Sequence, residues 1–233
     1  MRVSHEHWRR NIYLFLGSQF LTGITSMIVQ YAIIWYLTKE TGSATILSIA
    51  TILGMLPMAL LSPFVGPLVD RWNKKALLIV PDVVAAVFAI ILSISGGVFH
   101  VFPIWLIFVS LLMRSIAQTF QMPTIQSVIP TMVPDKELTK INGQLGMVQS
   151  ANMIIAPALG AFLFAIIPLQ YLILLDVLGA ILGISILIWV QIPNNEKIDA
   201  ALHMLHNTKL GVQQLMNNKG LWYITCLLYT SPS

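Results

Sequence analysis

The chain has 233 residues, of which 57% are hydrophobic and only 9% charged, with a mean hydropathy of +0.80. A water-soluble globule carries about 25% charged residues, so this composition excludes an ordinary soluble domain. The formal charge of +4 does not point to nucleic acid, because the cations sit in the gaps between apolar runs.

Those runs fall at about 12–38, 44–69, 76–98, 103–124, 140–167 and 169–192. A bilayer core takes about 20 apolar residues per helix, so each run is long enough to span one. None shows the alternating pattern of a membrane β-barrel. The first run exceeds the core of a cleavable signal peptide, and no small-residue cleavage site follows it. The fold class expected is therefore an all-α membrane protein, a bundle of six transmembrane helices over 1–192. Short gaps predict that chain neighbours lie side by side in an up-down arrangement. Of the 13 Lys and Arg residues, only Lys39 falls on the side opposite the N-terminus, and Arg114 lies within a span. The positive-inside rule then places the N-terminus in the cytoplasm.

Beyond the sixth run, residues 193–220 place apolar side chains at roughly helical spacing and read as an amphipathic linker on the cytoplasmic surface. A new apolar run opens at Leu221, so 221–233 reads as the truncated start of a seventh span, with "YTSPS" resembling a cloning scar.

No phosphate-binding loop, dinucleotide fingerprint, HExxH or GxSxG occurs, so no enzymatic activity and no cofactor are expected. Cys226 is the single cysteine, and His5, His7, His100, His203 and His206 are scattered, so no metal site is expected. The residues that stand out are charges inside spans: Asp82, Arg114 and Asp176. A charge near the bilayer centre costs a few kcal/mol, roughly 3 on insertion scales, so it faces a bundle interior or a water-filled path. Asp82 reads at least as readily as a structural partner, of Arg114 or Lys75, as it does as a transport residue; Asp176 reads equally as a protonation site or as a structural carboxylate. Uncharged polar residues form stripes: Gln19, Thr22, Ser26 and Gln30 in the first span, Arg114, Gln118 and Gln121 in the fourth, Asn142, Gln149 and Asn152 in the fifth. Such a stripe bonds across helices or lines a cavity, here between the first and fourth spans. Pro157 and the small residues around it allow a kink and close packing in the fifth span, and Gly179 and Gly183 form a packing face in the sixth.

One loop is dense in charge for so apolar a chain: "GPLVDRWNKK", residues 66–75. It resembles the signature G-x-L-a-D-R-x-G-R-K-x-x-L of the major facilitator superfamily through Gly66, Leu68, Asp70, Arg71, Lys74, Lys75 and Leu78. Asn73 stands where that signature has Gly, and Asn tolerates a left-handed turn better than other non-glycine residues, so the loop is expected to survive. Arg114 matches the fourth-span Arg of the same superfamily. Pro157 and Gly160 match its fifth-span motif in proton-coupled exporters. "AIIWYLTKETGSATILS" and "LDVLGAILG" are similar to bacterial macrolide-efflux proteins and siderophore exporters.

The resemblance implies a twelve-span fold of which this chain is the N-terminal half, set in a bacterial-type inner membrane. It implies secondary active efflux of a small hydrophobic or amphipathic molecule, with protons as partners and alternating access as mechanism. Gly66, Asp70, Arg71, Lys74 and Lys75 would form a cytoplasmic latch against the missing C-terminal half. Gln19, Gln30, Asp82, Arg114, Gln118, Asn152 and Asp176 would form the substrate or proton pathway. The competing readings are a non-transporting accessory protein or a dimerising half-transporter. A channel is disfavoured for want of charge rings or a filter repeat.

Overall fold

A computed structural model describes residues 8–98 and 102–192, leaving out the side chains of Pro63, Pro67, Asp70 and Arg71. The linker 193–220, the segment 221–233 and His100 lie outside the described residues. The helices are α1 (Trp8–Thr41), α2 (Ala44–Arg71), α3 (Lys74–Val98), α4 (Ile104–Met132), α5 (Leu138–Ile166), α6 (Leu169–Leu172) and α7 (Leu174–Trp189). No strand occurs among the described residues. Six helical stretches are long and apolar enough to cross a membrane, α6 and α7 together forming the sixth, Leu169–Trp189.

The turns are set by local chemistry. Gly42 ends α1 with φ at 56° and donates its N–H to the Thr38 carbonyl at 3.1 Å; Ser43 then caps α2, accepting from the Ile46 N–H. The left-handed residue after a helix end is a glycine position for steric reasons. Pro103, Pro134 and Pro168 sit at the starts of α4, of the short 3-10 turn Asp135–Glu137 and of α6.

Packing departs from the expected up-down arrangement. α1 packs mainly on α5 and α7, α2 on α4, and α3 on α4 and α7, while the chain neighbours α1 and α2, α2 and α3, and α4 and α5 touch little. Small residues decide several of these contacts. A methyl at Gly160 of α5 would sit 3.0 Å from the Ile28 carbonyl oxygen and 3.1 Å from Tyr31 Cβ, both on α1. Methyls at Gly179 and Gly183 of α7 would overlap Thr25 and Thr22 of α1. Short turns constrain which way the next helix runs. Which helix it packs on is decided by the fit of small residues to a facing ridge, as lipid supplies no hydrophobic drive between helices.

The interior is layered. One apolar core gathers Ile28, Ala32, Ile33, Leu92, Ile107 and Ile173; a second gathers Ile12, Phe15, Leu78, Val128, Ile129 and Leu187. Along α1, between these cores, run the buried polar residues Ser18, Gln19 and Thr22. Asp82, Arg114, Ser115, Thr119, Asn152 and Asp176 are buried on the other helices. The outer faces carry exposed Phe64, Trp105, Phe162 and Trp189, the distribution a lipid solvent permits.

Candidate functional site

The polar residues of the interior separate into a sealed ion pair and an open cleft. Arg114 of α4 and Asp176 of α7 form a buried salt bridge, each residue 3% exposed. Ser26 of α1 closes the group: its Oγ donates to Asp176 Oδ1 at 2.9 Å and accepts from Arg114 Nη2 at 3.2 Å. Arg114 Nη2 also donates to the Ser26 carbonyl at 3.3 Å. The sixth span breaks at Ile173, so Asp176 falls in the first turn of α7, where a carboxylate meets the positive end of the helix. Of the two readings of Asp82, the pairing with Arg114 or Lys75 does not occur among the described residues. Two opposite buried charges in contact pair with each other, because each alone would cost several kcal/mol, about 3 or more.

Beside the pair lies a cleft of about 320 Å³ between α1, α2, α4 and α5, with α3 contributing Pro81 and Asp82. Gln19, Thr22, Ser26 and Gln30 of α1 line it, as do Gln118 and Gln121 of α4 and Gln149 and Asn152 of α5. The spacing predicted these three stripes, but their members divide. Arg114 and Asn142 lie outside the lining, and so does Asp176. Met27, Met58 and Met122 fill the apolar wall; their unbranched side chains carry no pattern that a sequence reading would single out.

Asp82 accepts from Gln121 Nε2 at 3.4 Å and has no cationic partner among the described residues. Asn152 is 5% exposed, and its Oδ1 is buried without a hydrogen-bond partner among the described residues. Gly23 of α1 makes room for it: a methyl there would sit 2.6 Å from Asn152 Nδ2. Ser115 ties the cleft's α4 wall to α2 by donating to the Gly54 carbonyl at 2.6 Å. Among the described residues no cluster could hold a metal ion.

Comparison with known proteins decides the family. The sequence pattern of the Major Facilitator Superfamily matches residues 15–232. The chain belongs to the Major Facilitator Superfamily. It is 35% identical over 220 residues to Macrolide efflux protein A of Streptococcus pyogenes, covering 94% of this chain and 54% of that protein. It is 33% identical over 183 residues to Macrolide efflux protein A of Enterococcus faecalis, covering 78% of this chain and 56% of that protein. Against the Staphyloferrin A transporter of Staphylococcus aureus the identity is 23% over 152 residues, 65% of this chain and 38% of that protein. The chain thus spans about half the length of the curated relatives it matches most extensively. As a member of this superfamily with six apolar helices, it is a multi-pass membrane protein.

The superfamily loop at 66–75 has its own local structure. α2 runs through Arg71, and Trp72 ends it by donating its N–H to the Leu68 carbonyl. Asn73 acts through its side chain. Its Oδ1 accepts from the N–H groups of Lys75 at 2.9 Å and Ala76 at 3.3 Å, so it caps the N-terminus of α3. Lys74 is buried and donates to the Ser127 carbonyl of α4 at 3.2 Å. Lys75 donates to the carbonyls of Ile188 at 2.8 Å and Val190 at 3.3 Å, where α7 ends. Cations are favourable at such ends because the last carbonyls lack helical partners. Asn11 completes this clamp, exchanging hydrogen bonds of 2.7 and 3.0 Å with the backbone of Gln191. The two lysines expected in a latch are thus engaged within the bundle. A methyl on Gly66 would meet nothing within 4 Å, so no contact among the described residues requires a glycine there. The Asp70 and Arg71 side chains lie outside the description. Pro157 is inside α5, and Gly160 holds that helix against α1.

Proposed function

We propose that this chain is the N-terminal half of a twelve-span secondary transporter that exports amphipathic, macrolide-like molecules by proton antiport. The observation that carries the reading is a cleft walled by amides and methionines inside membrane-spanning helices, in a chain 35% identical to a macrolide efflux protein. A hydrocarbon-facing protein has no use for so many amides along one cleft unless a ligand or water meets them. Gln19, Gln30, Gln118 and Asn152 are assigned to substrate. Asp82, on the cleft wall with no cation beside it, is assigned to the proton. Arg114 and Asp176, sealed together, are assigned to holding three helices rather than to the pathway.

Alternating access would rock this half against a second one across the cleft, as midplane-site transporters of two repeats do. The orientation assigned has the N-terminus and the 66–75 loop in the cytoplasm of a bacterial cell, on the strength of the Lys and Arg distribution. Gly66, Asp70 and Arg71 are assigned to a latch against the other half, and Lys74 and Lys75 brace that loop from within the bundle.

The test is accumulation of labelled erythromycin in bacterial cells expressing this chain together with the C-terminal half of a macrolide-efflux relative. Lower accumulation that a protonophore reverses is the expected result. Unchanged accumulation, with both halves verified in the membrane, refutes efflux. Export that persists under the protonophore refutes proton coupling.

A further inference from the structure

Ser26 belongs to both halves of the interior: it lines the cleft, and it bonds both members of the sealed ion pair. Arg114 does not grip Asp176 with both arms of its guanidinium. One arm reaches the carboxylate, and the other reaches Ser26, whose hydroxyl hydrogen goes on to the second carboxylate oxygen. The serine is therefore inserted into what would otherwise be a two-pronged Arg–carboxylate contact. Among the described residues, the hydrogen bonds that tie α1 to α4 are the two that Ser26 accepts from Arg114, on Oγ and on its carbonyl.

A hydroxyl has one hydrogen and two lone pairs. In Ser26 the hydrogen serves Asp176 and one lone pair serves Arg114, which leaves one lone pair on a residue of the cleft wall. We propose that Ser26 is a positioning residue through which an O–H or N–H donor on a cleft ligand loosens α1 from α4. A donor on that lone pair is a second hydrogen bond to the same oxygen, and it weakens the one that Arg114 makes there. The released guanidinium arm has a ready alternative in the carboxylate of Asp176, so the ion pair persists while its tie to α1 weakens. A ligand shifts such an equilibrium only by its differential contact with the two arrangements, and the contact with Ser26 Oγ is that difference. Ligands of this class are hydroxylated or aminated amphiphiles. An apolar molecule of equal size fills the cleft without the effect. The proposal rests on the cleft's assignment to substrate for its ligand, but not for the geometry of the serine.

The experiment uses the chain in lipid nanodiscs with nitrogen-15 arginine, the Arg114 signals being identified by their loss in Arg114→Lys. Hydrogen exchange of the Arg114 guanidinium with water is read by NMR. Ser26→Ala is expected to speed exchange about tenfold, the weight of one hydrogen bond of ordinary strength, and Ser26→Thr to return it to the wild-type rate. Equal exchange in wild type and Ser26→Ala overturns the proposal without any ligand. Erythromycin is then added, its binding followed by tryptophan quenching. It is expected to speed exchange in wild type and to leave Ser26→Ala unchanged. Binding with no change in wild-type exchange overturns the ligand link. Failure of erythromycin to bind refutes the substrate cleft itself, and with it the ligand's part in this proposal, a result distinct from failure of the serine comparison.

Discussion

Removing one partner of the Arg114–Asp176 pair should destabilise the bundle far more than removing both. The two side chains are each 4% exposed, so neither can relax into water when its partner is lost. At an effective dielectric of about 20, unit charges about 4 Å apart attract by about 4 kcal/mol. Breaking a buried pair from one side costs about 3–5 kcal/mol, because a charge is left uncompensated. Partners found in the unfolded but membrane-embedded chain reduce such losses, and single interhelical hydrogen bonds there reach at most about 1.7 kcal/mol. The expected loss is therefore about 3 kcal/mol for Arg114→Met and for Asp176→Leu alone. The double variant replaces the pair with apolar groups and should lose at most about 1–2 kcal/mol. Unfolding of the chain by SDS in mixed micelles, followed by far-ultraviolet circular dichroism, closes the double-mutant cycle. Additive single losses would refute the pairing; a double variant as stable as wild type would strengthen it.

Three further outcomes separate local from inter-half roles. Gly66→Ala should leave unfolding unchanged or improve it by up to about 1 kcal/mol, since alanine favours helix and nothing lies within 4 Å. If the same variant exports macrolide at the wild-type rate, the latch assignment of Gly66 fails. Asn73→Ala should cost about 1 kcal/mol by uncapping α3, while Asn73→Gly should cost only a few tenths; equal losses on chemical denaturation would favour the left-handed reading. Gly160→Ala places a methyl 3.0 Å from the Ile28 carbonyl, so α1 and α5 must part at a cost of about 1–3 kcal/mol. Thermal unfolding of that variant at the wild-type temperature would show that the helices have room to spare.

The number and type of helices were readable from the sequence because lipid enforces them: a span must be long, apolar and internally hydrogen-bonded. The three polar stripes were readable for the same reason, since a helical period brings Gln19, Thr22, Ser26 and Gln30 to one face. Helix adjacency was not readable. It depends on whether Gly160 meets Ile28 and whether Gly183 meets Thr22, and spacing along one helix says nothing about the ridge opposite. Arg114 and Asp176 were recognisable as needing partners, but three charges within spans allow more than one pairing, and only depth and adjacency choose among them. Lys74 and Lys75 look like solvent anchors in any positive-inside count. Their stems are long enough to turn inward onto a carbonyl of α4 and the end of α7, a use that no local pattern signals.

The fate of each charge also says what the cleft asks of a ligand. Arg114 and Asp176 cancel each other, and Lys74 and Lys75 are spent on carbonyls. Among the described residues that leaves Asp82 as the one acidic or basic side chain on the cleft wall, and its bond from Gln121 is long at 3.4 Å. Asn152 adds a buried carbonyl oxygen with no donor. An unmet buried polar atom costs about 1–3 kcal/mol, and the groups on the cleft wall with fewest protein partners are acceptors. A carboxylate, an amide oxygen and the free lone pair of Ser26 all ask for hydrogen. On the proposed function, then, affinity should follow the number of O–H and N–H donors an amphiphile presents along the face between α1, α3 and α5. Its apolar bulk is left to Met27, Met58 and Met122, whose flexible thioethers can take up many shapes. Tolerance of shape and demand for donors would then come from different residues of one wall, and substitutions at each should change one without the other.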